Sequence, residues 1–396
     1  MSEWQTFCLK DLGKIVGGAT PPTNNPKNYG NKIAWITPKD LSTLQGRYIK
    51  KGSRSISRLG FKSCSCALLP KHAILFSSRA PIGYVAIAEK RLCTNQGFKS
   101  IIPNKKIYFE FLYYLLKYHK DNISNIGGGT TFKEVSGAIL GLFEVKIPPT
   151  YYEQQKIART LSILDQKIEN NHKINELLHK ILELLYEQYF VRFDFLDENN
   201  KPYQTSGGKM KFSKELNRLI PSGWSVRFLN HKIVSTYQPK TISKTLLNDS
   251  YSYSVYGGGG IIGRFTEYNH EQSEFIISCR GQCGISYLTL PKSWITGNAM
   301  VIRPTKSYTS KTYLYHTIKK YKLTNYITGS VQPQITRQNL STMPILIPKR
   351  KTLNKWNNIS SLLWNLIHNN MQATQTLTAL RDFLLPLLLK QQVKPQ

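Results

Sequence analysis

Two sets of polar side chains in this 396-residue chain have the chemistry needed to read nucleic-acid bases. The first is Arg79, Asn95, Gln96, Thr130, Thr131 and Lys133, and the second is Arg280, Gln282, Asn298, Gln332, Gln334 and Arg337. Arginine can donate two hydrogen bonds to guanine O6 and N7, and asparagine or glutamine can bond adenine N6 and N7 in the same two-pronged way. Lysine, threonine and backbone amides suit phosphates, and glycine lets the main chain come close. Taken singly, Arg79 or Arg280 fits a structural ion pair equally well. Their recurrence in two matching sets of loops favours binding.

Motifs for catalysis are missing. Gly258, Gly260 and Gly263 satisfy the letter pattern of a dinucleotide loop, but the residues that follow, IIGRFTEY, read as a strand. No acidic residue stands near the required 20 positions downstream, so a glycine hairpin is the better reading. There is no phosphate-cradling G-x-x-x-x-G-K-[ST]. Pro148-Pro149-Thr150-Tyr151 faintly resembles an amino-methyltransferase motif, yet it lacks the leading Asn or Asp and reads as the turn before a helix. Cys64-Ser65-Cys66 and the Cys279, Cys283 pair lack the spacing of a zinc site, and the eight histidines form no H-E-x-x-H. Neither a catalytic residue nor a metal ligand is expected.

Charge narrows the partner. The net charge is +31, and it is unevenly placed. Residues 1–152 carry 22 Lys/Arg against 8 Asp/Glu, and residues 199–350 carry 21 against 5. Between them, residues 153–198 carry 6 against 9, and residues 351–396 carry 5 against 1. Two basic domains attract a polyanion by steering and counterion release, while a slightly acidic segment suits a protein surface. With 40% apolar and 11% aromatic residues the composition is globular. No apolar run approaches the roughly 20 residues of a membrane span, no signal peptide is evident, and six scattered cysteines suggest a reducing cytoplasm.

The chain repeats itself. Ile74–Gly83 (ILFSSRAPIG) returns as Phe275–Gly284 (FIISCRGQCG), Gly129–Val135 as Gly329–Ile335, and Lys146-Ile147-Pro148 as Leu346-Ile347-Pro348. Thr94-Asn95-Gln96 is matched with Thr296-Gly297-Asn298. Such a unit is far longer than the 20–50 residues of solenoid repeats and reads as a duplicated domain plus helix. In the first helical stretch, Ile157, Leu161, Leu164, Ile168, Asn171, Asn175, Leu178, Leu182, Leu185 and Tyr189 alternate by four and three, which marks a heptad seam. Ile359, Leu363, Leu366, Asn370, Ala373, Leu377, Leu380 and Leu384 give a second seam, which Pro386 is expected to stop. Asn171 and Asn370 fall in one layer, where a buried Asn fixes register, and partly exposed side chains are the equally good alternative.

These features predict an α+β protein. Two similar, mixed, strand-rich recognition domains are separated by two long α-helices that pair as an antiparallel coiled coil, in an internal pseudo-twofold repeat. The expected boundaries are 1–150 for the first domain, 151–192 for the first helix, 193–222 for a polar connector, 223–350 for the second domain and 351–390 for the second helix. Strands are expected at Lys32–Ile36, Ala73–Phe76, Tyr84–Ala88, Ser252–Tyr256 and Glu274–Ser278, and short helices at Tyr108–Tyr118 and Lys311–Tyr321.

Several stretches resemble the specificity subunits of type I restriction–modification systems. They are ILFSSRAPIGYVAI followed by CTNQGFKS, VKIPPTYYEQQKIARTLSILDQKIE, FDFLDENNKPYQTSGGKMKFSKELNRLIPSGW, YSVYGGGGIIGRF and LRDFLLPLLL. The resemblance implies that each domain reads one half of a bipartite, gapped double-stranded DNA target. It implies helices that set the spacing and dock two modification (methyltransferase) subunits, with restriction/translocase subunits joining through them. S-adenosylmethionine, ATP and magnesium would then serve the partner subunits, with no cofactor on this chain and no membrane partner. The second helix begins IPKRKTLNKWNNI, without the Glu153-Gln154-Gln155 of the first, and the end reads LLKQQVKPQ where relatives often have glycine. Two other readings stand beside this one. A sequence-specific DNA-binding protein acting without a methyltransferase partner would bind DNA by itself. A scaffold gripping acidic proteins would show no salt-dependent DNA binding.

Overall fold

A computed structural model describes residues 3–128, 133–248, 251–307, 309–330 and 332–395. The chain divides into two compact units, Met1–Lys173 with Asn370–Gln396, and Ile174–Asn369. Compactness therefore does not change at residue 150. Each unit combines a strand-rich domain with the portions of both long helices that pack on it.

In the first unit a five-stranded sheet runs in the order Gly13–Gly17, Lys99–Pro103, Ile74–Phe76, Val85–Ala88, Tyr48–Ile49. Its pairs are antiparallel except the last, which is parallel. Successive residues of a strand face opposite ways. Ile74 and Phe76 accordingly join one core with Ile87, Ile101, Phe111, Leu112 and Leu115, while Leu75 joins Ala86, Ala88 and Phe98 in another. Cover on both faces explains why the run is apolar throughout instead of alternating. Phe111, Leu112 and Leu115 come from the helix Phe109–Asn125, which starts beside the expected Tyr108 and runs further. Tyr29–Ile36 forms a smaller sheet with Arg54–Ile56 and Cys93–Thr94.

In the second unit an antiparallel sheet has the order Val234–Tyr237, Ala299–Pro304, Phe275–Ser278, Ser286–Leu288. Tyr253–Gly257 and Gly260–Phe265 form an antiparallel hairpin, so the glycine cluster is a turn between strands. The helix Lys311–Lys319 matches Phe109–Asn125. The polar connector is folded. It contains the hairpin Met210–Ser213 with Arg218–Pro221, and Phe195 stacks between Tyr203 and Trp224 at 4.9 and 5.2 Å.

The long helices are Tyr151–Tyr186, extended by a π-helical turn over Glu187–Val191, and Arg350–Leu389. Thr150 begins the first by accepting the Glu153 amide at 3.2 Å, and it donates to the Glu153 carboxylate. The second runs through Pro386 instead of stopping there. An internal proline costs about 3 kcal/mol. Leu385, Leu388 and Leu389 are buried in the first core and offset that loss.

Within each unit the helices pair antiparallel. In the first, Asp165 meets Arg381 and Asn171 meets Thr374. In the second, Asn175 meets Ile367 and His179 meets Trp364. On the first helix Leu161, Ile168, Leu178 and Leu182 are buried, and Leu164, Asn171, Asn175 and Leu185 are half-buried. The second seam departs from expectation. Leu363, Asn370, Leu377 and Leu384 are half-buried, but Ile359, Leu366, Ala373 and Leu380 are exposed. Ser360, Ile367, Thr374 and Arg381 turn inward instead, each 199 residues beyond Leu161, Ile168, Asn175 and Leu182. Three of those four are polar and satisfied by partners on the facing elements, so an apolar count placed the stripe one residue early. No helix among the described residues is long and apolar enough to cross a membrane.

Candidate nucleic-acid interface

The two arginine turns are held by one hydrogen-bond frame, built twice. In the first unit Ser77 follows the strand Ile74–Phe76. Its hydroxyl donates to the Pro81 carbonyl and accepts the Tyr84 amide, both at 2.8 Å. Its carbonyl accepts the Gly83 amide at 3.0 Å, and its amide donates to Tyr84 at 2.9 Å. In the second unit Ser278 donates to Gln282 at 2.5 Å and accepts the Ile285 amide at 2.8 Å. Its carbonyl accepts Gly284 at 2.9 Å, and its amide donates to Ile285 at 2.8 Å. Each partner lies 201 residues beyond its counterpart. Gly83 and Gly284 have φ of +101° and +89°, the left-handed region that favours glycine.

Two further loops close on each turn. The Ser78 amide donates to the Gly97 carbonyl at 2.8 Å, and the Ser78 carbonyl accepts from Val135 at 3.0 Å. Cys279 likewise donates to Asn298 at 2.9 Å and accepts from Ile335 at 3.0 Å. Turn, Asn/Gly loop and third loop thus meet at one place in each unit. The first gathers Arg79, Asn95, Gln96 and Lys133, and the second gathers Arg280, Gln282, Asn298, Gln332 and Gln334.

The frame corrects one sequence match by a residue. The Asn95 amide donates to Ile36 and the Thr296 amide to Tyr256, each at 2.9 Å. Asn95 therefore corresponds to Thr296, and Gly97 to Asn298. Asn95 Oδ1 accepts the Gly97 amide at 3.0 Å, and the Gln96 side-chain carbonyl accepts the Thr20 hydroxyl. These two side chains are partly engaged in their own loop, whereas Asn298 is exposed. Thr130 and Thr131 lie outside the described residues. Lys133, Gln332 and Gln334 are exposed. Arg337 opens the short helix Arg337–Leu340 and lines a cleft of about 490 Å³ with Asn230, His231 and Gln338.

The electrostatics of the two sites differ. Arg79 lies 3.5 Å from Glu134, which also takes Lys99 at 3.4 Å. Gln334 occupies the position matching Glu134, and its main chain bridges Arg280. Among the described residues no carboxylate pairs with Arg280. Burial pushes the Cys279 thiol pKa upward, and Gln238 Nε2 donates to its sulfur at 2.8 Å. Among the described residues no three His, Cys, Asp or Glu side chains are grouped to hold a metal. Sequence reasoning missed Gln238 and the role of Gly258. A Cβ on Gly258 would lie 2.8 Å from the Arg280 carbonyl, so the glycine hairpin abuts the Arg280 turn. Its glycines were legible only as a turn.

A family model for the type I restriction modification DNA specificity domain matches residues 1–180 and 221–377. The chain is 32% identical to the type I restriction enzyme MjaIX specificity subunit of Methanocaldococcus jannaschii, over 98% of this chain and 92% of that protein. It is 30% identical to the HindI specificity subunit of Haemophilus influenzae, over 46% of this chain and 40% of that one. A crystal structure of a type I restriction–modification S subunit from M. genitalium aligns with a TM-score of 0.61 at 18% identity, covering 97% and 96% of the two chains, a likeness of fold. With both halves matched by the family model and a relative aligned along nearly its whole length, the chain belongs to the DNA specificity subunits of type I restriction–modification systems.

Proposed function

We propose that this chain is the non-catalytic targeting subunit of a type I restriction–modification complex. Each domain reads one half of a bipartite, gapped double-stranded DNA site. The observation that carries the reading is the loop frame itself: the same main-chain bonds present Arg79 and Arg280 at matching turns of two strongly basic domains. Lysines and arginines across each domain bind phosphates and set register. The turns offer Arg, Asn and Gln to base edges in the major groove. The paired helices set the gap between half-sites and dock two modification subunits, through which restriction and translocase subunits join. Methyl transfer, ATP hydrolysis and DNA cleavage, with their S-adenosylmethionine, ATP and magnesium, belong to those partners in the cytoplasm.

Single-molecule methylome sequencing tests this. A host lacking adenine methylation would express the chain together with its modification subunit. Methylation at one gapped, asymmetric sequence, lost when this chain is omitted, is the expected result. A soluble complex that leaves the genome unmethylated would reject the reading.

A further inference from the structure

The first unit contains a buried charge network that the reading of bases does not use. Arg47 precedes the edge strand Tyr48–Ile49, and its side chain is 4% exposed. Its guanidinium donates to Glu110 at 3.0 Å and to Glu169 at 3.2 Å, and its backbone amide donates to the same Glu169 oxygen at 3.0 Å. Glu110 also accepts the hydroxyls of Tyr48 at 2.6 Å and Tyr108 at 2.9 Å. Asp165, 5% exposed, accepts Tyr114 at 2.6 Å and Arg381 at 2.8 Å. The network therefore ties the domain's sheet edge and its helix Phe109–Asn125 to both long helices.

The second unit does this differently. Its helix starts after Ser310 as the first starts after Tyr108, which puts His316 in the place of Tyr114. Trp364 and His368 stand 199 residues beyond Asp165 and Glu169. There His316 lies between Trp356 and Trp364, with ring centroids 5.3 and 6.4 Å away. One domain is held by buried, charged, directional bonds, and the other by aromatic packing, hydroxyl hydrogen bonds and the more exposed pairs Lys319–Glu183 and Lys320–Glu187.

We propose that Arg47, with Asp165 and Glu169, is a positioning set that fixes the gap length between the half-sites. The inference rests on the targeting function proposed above. Apolar contact is non-directional and tolerates a small slide. A charge-assisted network has one geometry in which every partner is satisfied. Tyr48–Ile49 belongs to the sheet whose strand Ile74–Phe76 ends at the Arg79 turn. Slippage of that sheet on the helices carries the reading turn with it, and about 3.4 Å along B-DNA is one base pair.

The test is methylome sequencing of the co-expressed complex carrying Arg47→Met or Glu169→Gln. Both half-sites should persist, while sites with gaps one base pair longer or shorter gain methylation at least about tenfold over the unaltered chain, the worth of one charge-assisted bond. Lys180→Ala, on the exposed face of the same helix, should leave the gap unchanged. A single unaltered gap in either variant that methylates its sites fully overturns the proposal. Loss of all methylation in both variants overturns it as well, since a register device should not abolish reading. Absence of gapped methylation with the unaltered chain would instead be the failure of the targeting function.

Discussion

Arg79 and Arg280 occupy matching turns but stand in different charge environments. Glu134 neutralises part of the Arg79 charge, and Gln334 at the matching place does not neutralise Arg280. A side chain already engaged must give up a partner to reach a base. Arg280→Ala should therefore cost the complex about 1–3 kcal/mol of affinity for its site and relax the second half-site alone. Arg79→Ala should cost less, and titration of the complex with wild-type and half-site-mutated duplexes checks both. At this scale the sequence was informative about residue types and poor about register. Arg280 and Gln282 stood out because loops of the same chemistry recur at equivalent positions of the two halves. The frame that pairs Gly97 with Asn298 is made of main-chain bonds, which leave no trace in side-chain type.

At the scale of elements the long helices were the most legible part of the fold, because a four-three apolar rhythm persists along them. The second helix shows where that signal fails. Its inner face carries Ser360, Thr374 and Arg381, satisfied by Thr312, Asn171 and Asp165. Ile367→Ala, at a fully buried position, should cost about 2–5 kcal/mol in a denaturant titration. Leu366→Ala, at a position 51% exposed, should change stability by only a few tenths. Equal losses would restore the seam read from sequence. One histidine on this helix and one packed against it give a second prediction. Burial, reinforced by Lys319 and His179, lowers His316 to about 3, and burial with Lys311 and His179 lowers His368 to about 4. Unfolded, both titrate near 6.5. Below that pH the unfolded chain takes up protons that the folded chain refuses, so stability present above about 6.5 is lost as pH falls. The slope approaches 1.4 kcal/mol per pH unit for each group. Denaturation midpoints should drop between pH 7 and 5, and His316→Phe should flatten the drop.

Each of the two units carries its own loop frame and its own contacts between domain and helices. Exchanging residues 1–150 for the corresponding domain of a relative should therefore replace the first half-site and leave the second untouched. The structure adds a condition that chain boundaries alone do not reveal. Arg47 and Tyr114 fall inside the exchanged segment, while Asp165 and Glu169, which they satisfy, fall outside it. A graft without matching groups leaves the half-buried Glu169 without Arg47 and the buried Asp165 with Arg381 alone, and removing one member of a buried pair costs up to about 3–5 kcal/mol. Chimaeras that keep arginine and tyrosine at those positions should assemble and methylate a new, half-changed site. Those that lack them should be less stable and methylate the half-changed site at more than one gap, and Asp165→Asn with Glu169→Gln in the recipient should recover part of the lost stability. Methylome sequencing of such a series reads both halves of the target at once. A change in both half-sites after a single exchange would mean that the two units do not read independently.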